Sequence, residues 1–146
     1  MIKAYIFDID GTLADCTHRL HYIYSENKDW DSFHNSADKD RPIIETIECA
    51  KALKVAGYEI LIVTGRPDSS KHITVKWLLD NGINFDRIYM RKDGDHIPDF
   101  VLKKNIYDSE IKNDYEVLGV FEDRRNVVDM WRSLGIRCYH VEEGNY

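Results

Sequence analysis

The chain has 146 residues, 43% hydrophobic and 32% charged, enough for one domain with a sizeable core. Its net charge of −6 excludes broad adhesion to nucleic acid or anionic membrane, though not a local basic site. Three cysteines (Cys16, Cys49, Cys138), odd in number and never in CxxC spacing, argue against structural zinc and suit a reducing compartment.

The chain opens on an apolar strand, residues 2–9, with no secretory h-region and no later run of membrane-spanning length. A cytoplasmic protein with no membrane partner is expected. The strand ends in Asp8-Ile9-Asp10-Gly11-Thr12-Leu13. Strand periodicity puts Asp8 and Asp10 on one side, where their repulsion asks for a cation between them. Gly11 allows a sharp turn, and Asp-Gly after an apolar run also fits a plain hairpin.

Residues 15–41 are polar and irregular but carry Tyr22, Tyr24, Trp30 and Phe33, which either pack a small subdomain or stack a base. Pro42 sits at a helix start, and Ile43, Ile44, Ile47, Ala50 and Leu53 follow at helical spacing until Gly57. Tyr58 to Val63 is a second strand, ending in Thr64-Gly65-Arg66-Pro67. A helix over 69–80 with Trp77 on its apolar face, a short strand 88–90, and a helix 100–112 come next. Val117 to Phe121 is a fourth strand, 127–134 a helix with Trp131 inward, and 137–141 a last strand. The six histidines form no ligand set.

Strand alternating with helix predicts an α/β fold: a Rossmann-like three-layer sandwich, with a parallel five-stranded sheet and helices on both faces. All of 1–146 reads as a single domain with a minimal cap, or flap, at about 15–41. In such sheets ligands sit beyond the carboxyl ends of the strands. Asp8, Asp10, Thr64, Arg66, Glu122 and Asp123 all fall there.

Four acids from two strand ends make an all-oxygen cluster that suits Mg²⁺. A carboxylate can attack phosphorus, and a second one two residues on can protonate the leaving oxygen and then activate water. Thr64, the Gly65 amide and Lys103 could donate to phosphoryl oxygens. The bland alternatives are an acidic loop at 122–123, a solvated helix lysine and a plain turn at Thr64.

The ordered set Asp8-Ile9-Asp10-Gly11-Thr12, Ile60 to Thr64, Lys103 and Phe121-Glu122-Asp123 resembles the haloacid dehalogenase-like phosphatases over nearly the whole chain. That resemblance implies Asp8 as nucleophile, Asp10 as acid/base, phosphate contacts from Thr64 and Lys103, and Mg²⁺ on Asp8, the Asp10 carbonyl and Asp123. Glu122 stands where many relatives have Asp, so it would act on the metal directly, through water or from behind the ligands.

A narrower likeness runs through Arg19, Thr64-Gly65-Arg66, Met90-Arg91, Asp99 to Lys103 and Phe121 to Arg132. These resemble the 3′-phosphatase domain of bacteriophage polynucleotide kinases. The likeness implies that Arg19, Arg66 and Arg91 grip substrate, Asp99 orients Lys103, and Arg124 supports the acidic pair. No GxxxxGK[ST] phosphate loop is present, so no kinase domain is expected in this chain. The implied activity is Mg²⁺-dependent hydrolysis of phosphate from a nucleotide or nucleic-acid 3′ end. The alternatives are a small-metabolite or free-nucleotide phosphatase, and a non-catalytic domain that binds a phosphorylated ligand.

Overall fold

A computed structural model describes residues 1–144. Five parallel strands form the sheet: β1 (Ile2–Phe7), β4 (Glu59–Pro67), β5 (Arg87–Arg91), β6 (Tyr115–Glu122) and β7 (Cys138–His140), in the order β5-β4-β1-β6-β7. Period-two alternation sends Ala4, Ile6, Leu61 and Val63 to one face, and Phe7, Ile60 and Ile62 to the other. Helices α5 (Asp99–Ile106) and α6 (Arg125–Ser133) cover the first face through Leu102, Ile106, Val128 and Trp131. Helices α3 (Ile44–Val55) and α4 (Lys71–Asp80) cover the second through Ile47, Ala50, Trp77 and Leu78. The three-layer α/β sandwich expected from the strand-helix alternation is the fold observed.

Strand order explains where the site lies. The chain builds outward from β1 to β4 and β5, then returns to lay β6 and β7 on the other side. The direction therefore reverses between β1 and β6, and a crevice opens beyond their carboxyl ends. The Asp8 amide donates to the Phe121 carbonyl at 3.1 Å, which locks the two strand ends together.

The segment 15–41 is more ordered than its composition suggests. Two short helices, α1 (His21–Tyr24) and α2 (Trp30–Asn35), the latter capped by Asp29, lie between two single 3₁₀ turns. Its ends are pinned by a two-residue antiparallel ribbon of β2 (Ala14–Asp15) and β3 (Arg41–Pro42). Pro42 thus sits in a strand and not in the first helical turn. It is tolerated because this ribbon is an edge. Strand β4 also continues through Thr64 to Pro67, where a turn was expected, and regains register with β5 at Arg91. Helix α5 stops at Ile106 and widens into a π turn, Tyr107–Ile111.

Candidate active site

The turn after β1 is tight. The Thr12, Leu13 and Ala14 amides all donate to the Ile9 carbonyl, and Gly11 takes φ 81°. This wrapping buries Asp8 at the end of the sheet and brings the Thr12 hydroxyl onto Asp8 Oδ2 at 3.1 Å. The other oxygen, Oδ1, accepts from Lys103 Nζ at 2.8 Å. Lys103 reaches it from the second turn of α5, and donates equally to Glu122 Oε2 at 2.8 Å. Glu122 turns its remaining oxygen to the Asp123 and Arg124 amides, at 3.2 and 3.3 Å. One oxygen from each of Asp8, Glu122 and Asp123 falls within a span of 4.8 Å.

Of the three buried carboxylates, Asp8 and Glu122 share the buried Lys103 ammonium. Burial, then the charge of Asp8, drives the Asp123 carboxyl far above the usual carboxylate range, and the same causes raise Glu122. Burial alone would lower Lys103, but Asp8 and Glu122 outweigh it and hold the ammonium above its ordinary value. One positive charge for three carboxylates, with all donors oxygen, is the environment a hard divalent cation satisfies. The C-terminal segment closes over it: the Gly144 amide donates to the Asp123 carbonyl at 3.0 Å. A Cβ at Gly144 would collide with the Asp123 carboxylate.

Asp10 does not join this cluster with its side chain. Its carboxylate turns back to Arg19 (2.7 Å) and Arg66 (2.6 Å), and the same two guanidinium groups hold Asp40 (2.8 and 3.1 Å). Burial opposes ionisation of Asp10, but Arg66 and Arg19 outweigh it and hold the group well below the usual carboxylate range. The expectation that Asp8 and Asp10 share one cation is therefore corrected: two arginines already balance Asp10. Arg19 and Arg66 were also expected to grip substrate. Both are buried behind Asp10, Arg19 with its guanidinium 4.3 Å from the Phe33 ring centre, and neither lines the cavity.

Asp40 escaped the sequence reading. It lies in the segment read as irregular, and nothing in the composition says which acid meets a buried arginine. Here it also anchors the flap to the body, because Trp77 Nε1 donates to its carbonyl at 3.0 Å.

A cavity of about 840 Å³ opens above Asp8 and Asp10. Thr64 and Gly65 form its floor with them, Arg91 and Arg124 stand on one side, and Trp30 and His34 of the flap on the other. Asp99 was expected to orient Lys103. Its two oxygens instead brace the side arginines, one on Arg91 and the other on Arg124 Nη1 at 2.6 Å, and it acts on Lys103 through charge. Arg91 is fixed further by the Gly65 carbonyl (2.9 Å) and the Ile97 carbonyl (2.6 Å). Gly65 is required for this packing, since a Cβ there would lie 2.6 Å from Asp99 Oδ1.

The model of the polynucleotide kinase PNKP phosphatase domain matches residues 2–146. A bifunctional polynucleotide kinase/RNA ligase of Autographa californica nuclear polyhedrosis virus is 30% identical over 92% of the chain. Its own length is matched over 18% only. A chain from the Pnkp1/Rnl/Hen1 RNA repair complex superposes over the full length at TM-score 0.89 and 31% identity, with 44% of that chain covered. A class C acid phosphatase from Bacillus anthracis, determined with tungstate, shares the fold at TM-score 0.72 and 14% identity over 99% of the chain and 68% of its own. The chain thus spans less than half of the polynucleotide kinase relatives it matches. Among the described residues no helix is long and apolar enough to cross a membrane.

Proposed function

The chain belongs to the polynucleotide kinase PNKP phosphatase domain family, a branch of the haloacid dehalogenase-like phosphatases, and from that premise we propose a metal-dependent phosphomonoesterase that clears 3′-phosphates from nucleic-acid ends or nucleotides. The observation that carries this reading is Asp8 itself. It is a buried carboxylate on the cavity floor, steered by Thr12 and Lys103, among oxygen donors fitted to a divalent cation.

In the first half-reaction an Asp8 oxygen attacks phosphorus, the ester P–O bond breaks, and the leaving alkoxide takes a proton. In the second, water attacks the aspartyl-phosphate, gives up a proton and releases phosphate with Asp8 restored. Asp10, which lines the cavity beside Asp8, is assigned the proton transfer in both. Arg19 and Arg66 favour its ionised form, so they assist the water step and burden the leaving-group step.

Lys103, Thr64 and the Gly65 amide face the phosphoryl oxygens. Asp8, Asp123 and the Asp10 carbonyl would hold Mg²⁺, with Glu122 behind them, since its oxygens are engaged by Lys103 and backbone amides. When bound, the ion offsets negative charge on the phosphoryl group. Arg91 and Arg124, braced by Asp99, are placed to meet the phosphodiester chain beyond the terminal phosphate.

Acid-quenched single turnovers on a ³²P-labelled 3′-phosphorylated oligonucleotide test the chemistry. Label is expected on the wild-type protein and absent from Asp8→Asn. Turnover by the folded Asp8→Asn protein within tenfold of wild type would refute the covalent route.

A further inference from the structure

The phosphate-handling groups occupy only the floor of the cavity, and the rest of its roughly 840 Å³ falls in the size range of sites that enclose a whole small molecule. The flap wall is aromatic. Trp30 is 46% exposed, although its neighbour Phe33 is buried. Its indole lies nearly parallel to the His34 ring (5.9 Å between centres, 22°) and meets Phe33 edge-on at 5.8 Å. Burial lowers the His34 pKa and favours a neutral ring, so the shelf presents uncharged aromatic faces. Exposed Lys28 rests 5.9 Å from the Trp30 ring centre, at the outer limit of a cation–π contact.

We propose that Trp30, backed by His34 and Phe33, is the stacking platform for the nucleobase of the nucleotide whose phosphate is removed. The assignment rests on the phosphatase reading of the same cavity and adds to it the surface that recognises the nucleoside. The indole offers a π face and only one polar group, so it accepts any base. Phe33 has a different task, since it packs on Arg19 and fixes the slope of the shelf.

The test compares kcat/KM on oligonucleotides whose phosphorylated terminal residue carries either adenine or an abasic tetrahydrofuran. Wild type is expected to prefer adenine. Trp30→Ala should lower the adenine-to-abasic ratio about tenfold, through KM, and Trp30→Phe should keep most of it. Trp30→Leu preserves apolar bulk without a π face and should lower the ratio as Ala does, which covers a failure of Trp30→Ala to fold. An unchanged ratio in Trp30→Leu would overturn the platform. The ratio is measured on whichever end is cleaved. The 3′ reading is judged separately, by the wild-type choice between 3′- and 5′-phosphates, so either conclusion can fail alone.

Discussion

At the residue scale the site contains two electrostatic arrangements of opposite balance. Asp8, Glu122 and Asp123 have too little positive charge, one lysine among three carboxylates. Asp10 and Asp40 are matched one for one by Arg19 and Arg66. Removing one member of a buried, matched set leaves an uncompensated charge. Arg19→Ala and Asp40→Asn should therefore each lower stability by about 3–5 kcal/mol in chemical denaturation. A loss within the noise for Arg19→Ala would show that the network contributes nothing to the fold. Asp10→Asn should slow the first half-reaction by about 10²–10⁴-fold for alkyl phosphates, and much less for nitrophenyl phosphate, whose leaving group needs no proton. Equal losses across a leaving-group series would contradict the acid role.

The residues of the acidic cluster were legible because carboxylates at the ends of apolar strands are hard to explain otherwise. The pairing of Asp10 was not. Period two gives a direction for a side chain within a strand, but β1 stops at Phe7 and the turn closed on the Ile9 carbonyl carries Asp10 out of that register. Asp40 and the inward turn of Arg19 depend on how the flap folds back, which composition does not encode.

At the element scale, β4 carries part of the cavity floor because it runs on through Thr64-Gly65-Arg66-Pro67 instead of turning. Thr64 and Gly65 meet the cavity, and Arg66 points away to Asp10 and Asp40. The sequence pattern suggested a loop there, since Gly and Pro are common in turns. The β5 register shift and the Asp99 contact that make an extended Gly65 useful are tertiary facts. Gly65→Ala should displace Asp99 from Arg91 and Arg124. Activity on oligonucleotides should fall up to about 100-fold, as expected when positioning groups move by an ångström. Activity on a nitrophenyl phosphate should fall less. A uniform loss on both substrates would show that the Asp99 contact adds nothing beyond the Gly65 amide's own place on the cavity floor.

At the scale of the whole molecule, the strand-order reversal between β1 and β6 gathers like charges that the Asp123 and Arg124 amides relieve only at Glu122. The metal-free protein should therefore be less stable than its metal-bound form. Saturating Mg²⁺ at about 100 times its Kd is worth about 2.7 kcal/mol, visible as a rise in Tm. Asp123→Asn removes a carboxyl whose ionisation the buried cluster opposes. It should raise the Tm of the metal-free protein while abolishing the response to Mg²⁺ and the activity. A variant that melts lower than wild type in chelator would contradict this account of the cluster.

The proposed nucleic-acid substrate is a polyanion and the chain is acidic, so binding must rest on local positive charge. Arg91 and Arg124 stand at the cavity, and the proposed reading takes the segment 15–41 as a small flap that leaves it open. An open site admits a polymer end. The most direct measurement is kcat/KM on one oligonucleotide sequence phosphorylated at either its 3′ or its 5′ end, in Mg²⁺ and in excess chelator. The account predicts a clear preference for the 3′-phosphate, weakening as salt rises, and no turnover in chelator. Equal rates at the two ends, or full activity in chelator, would contradict it.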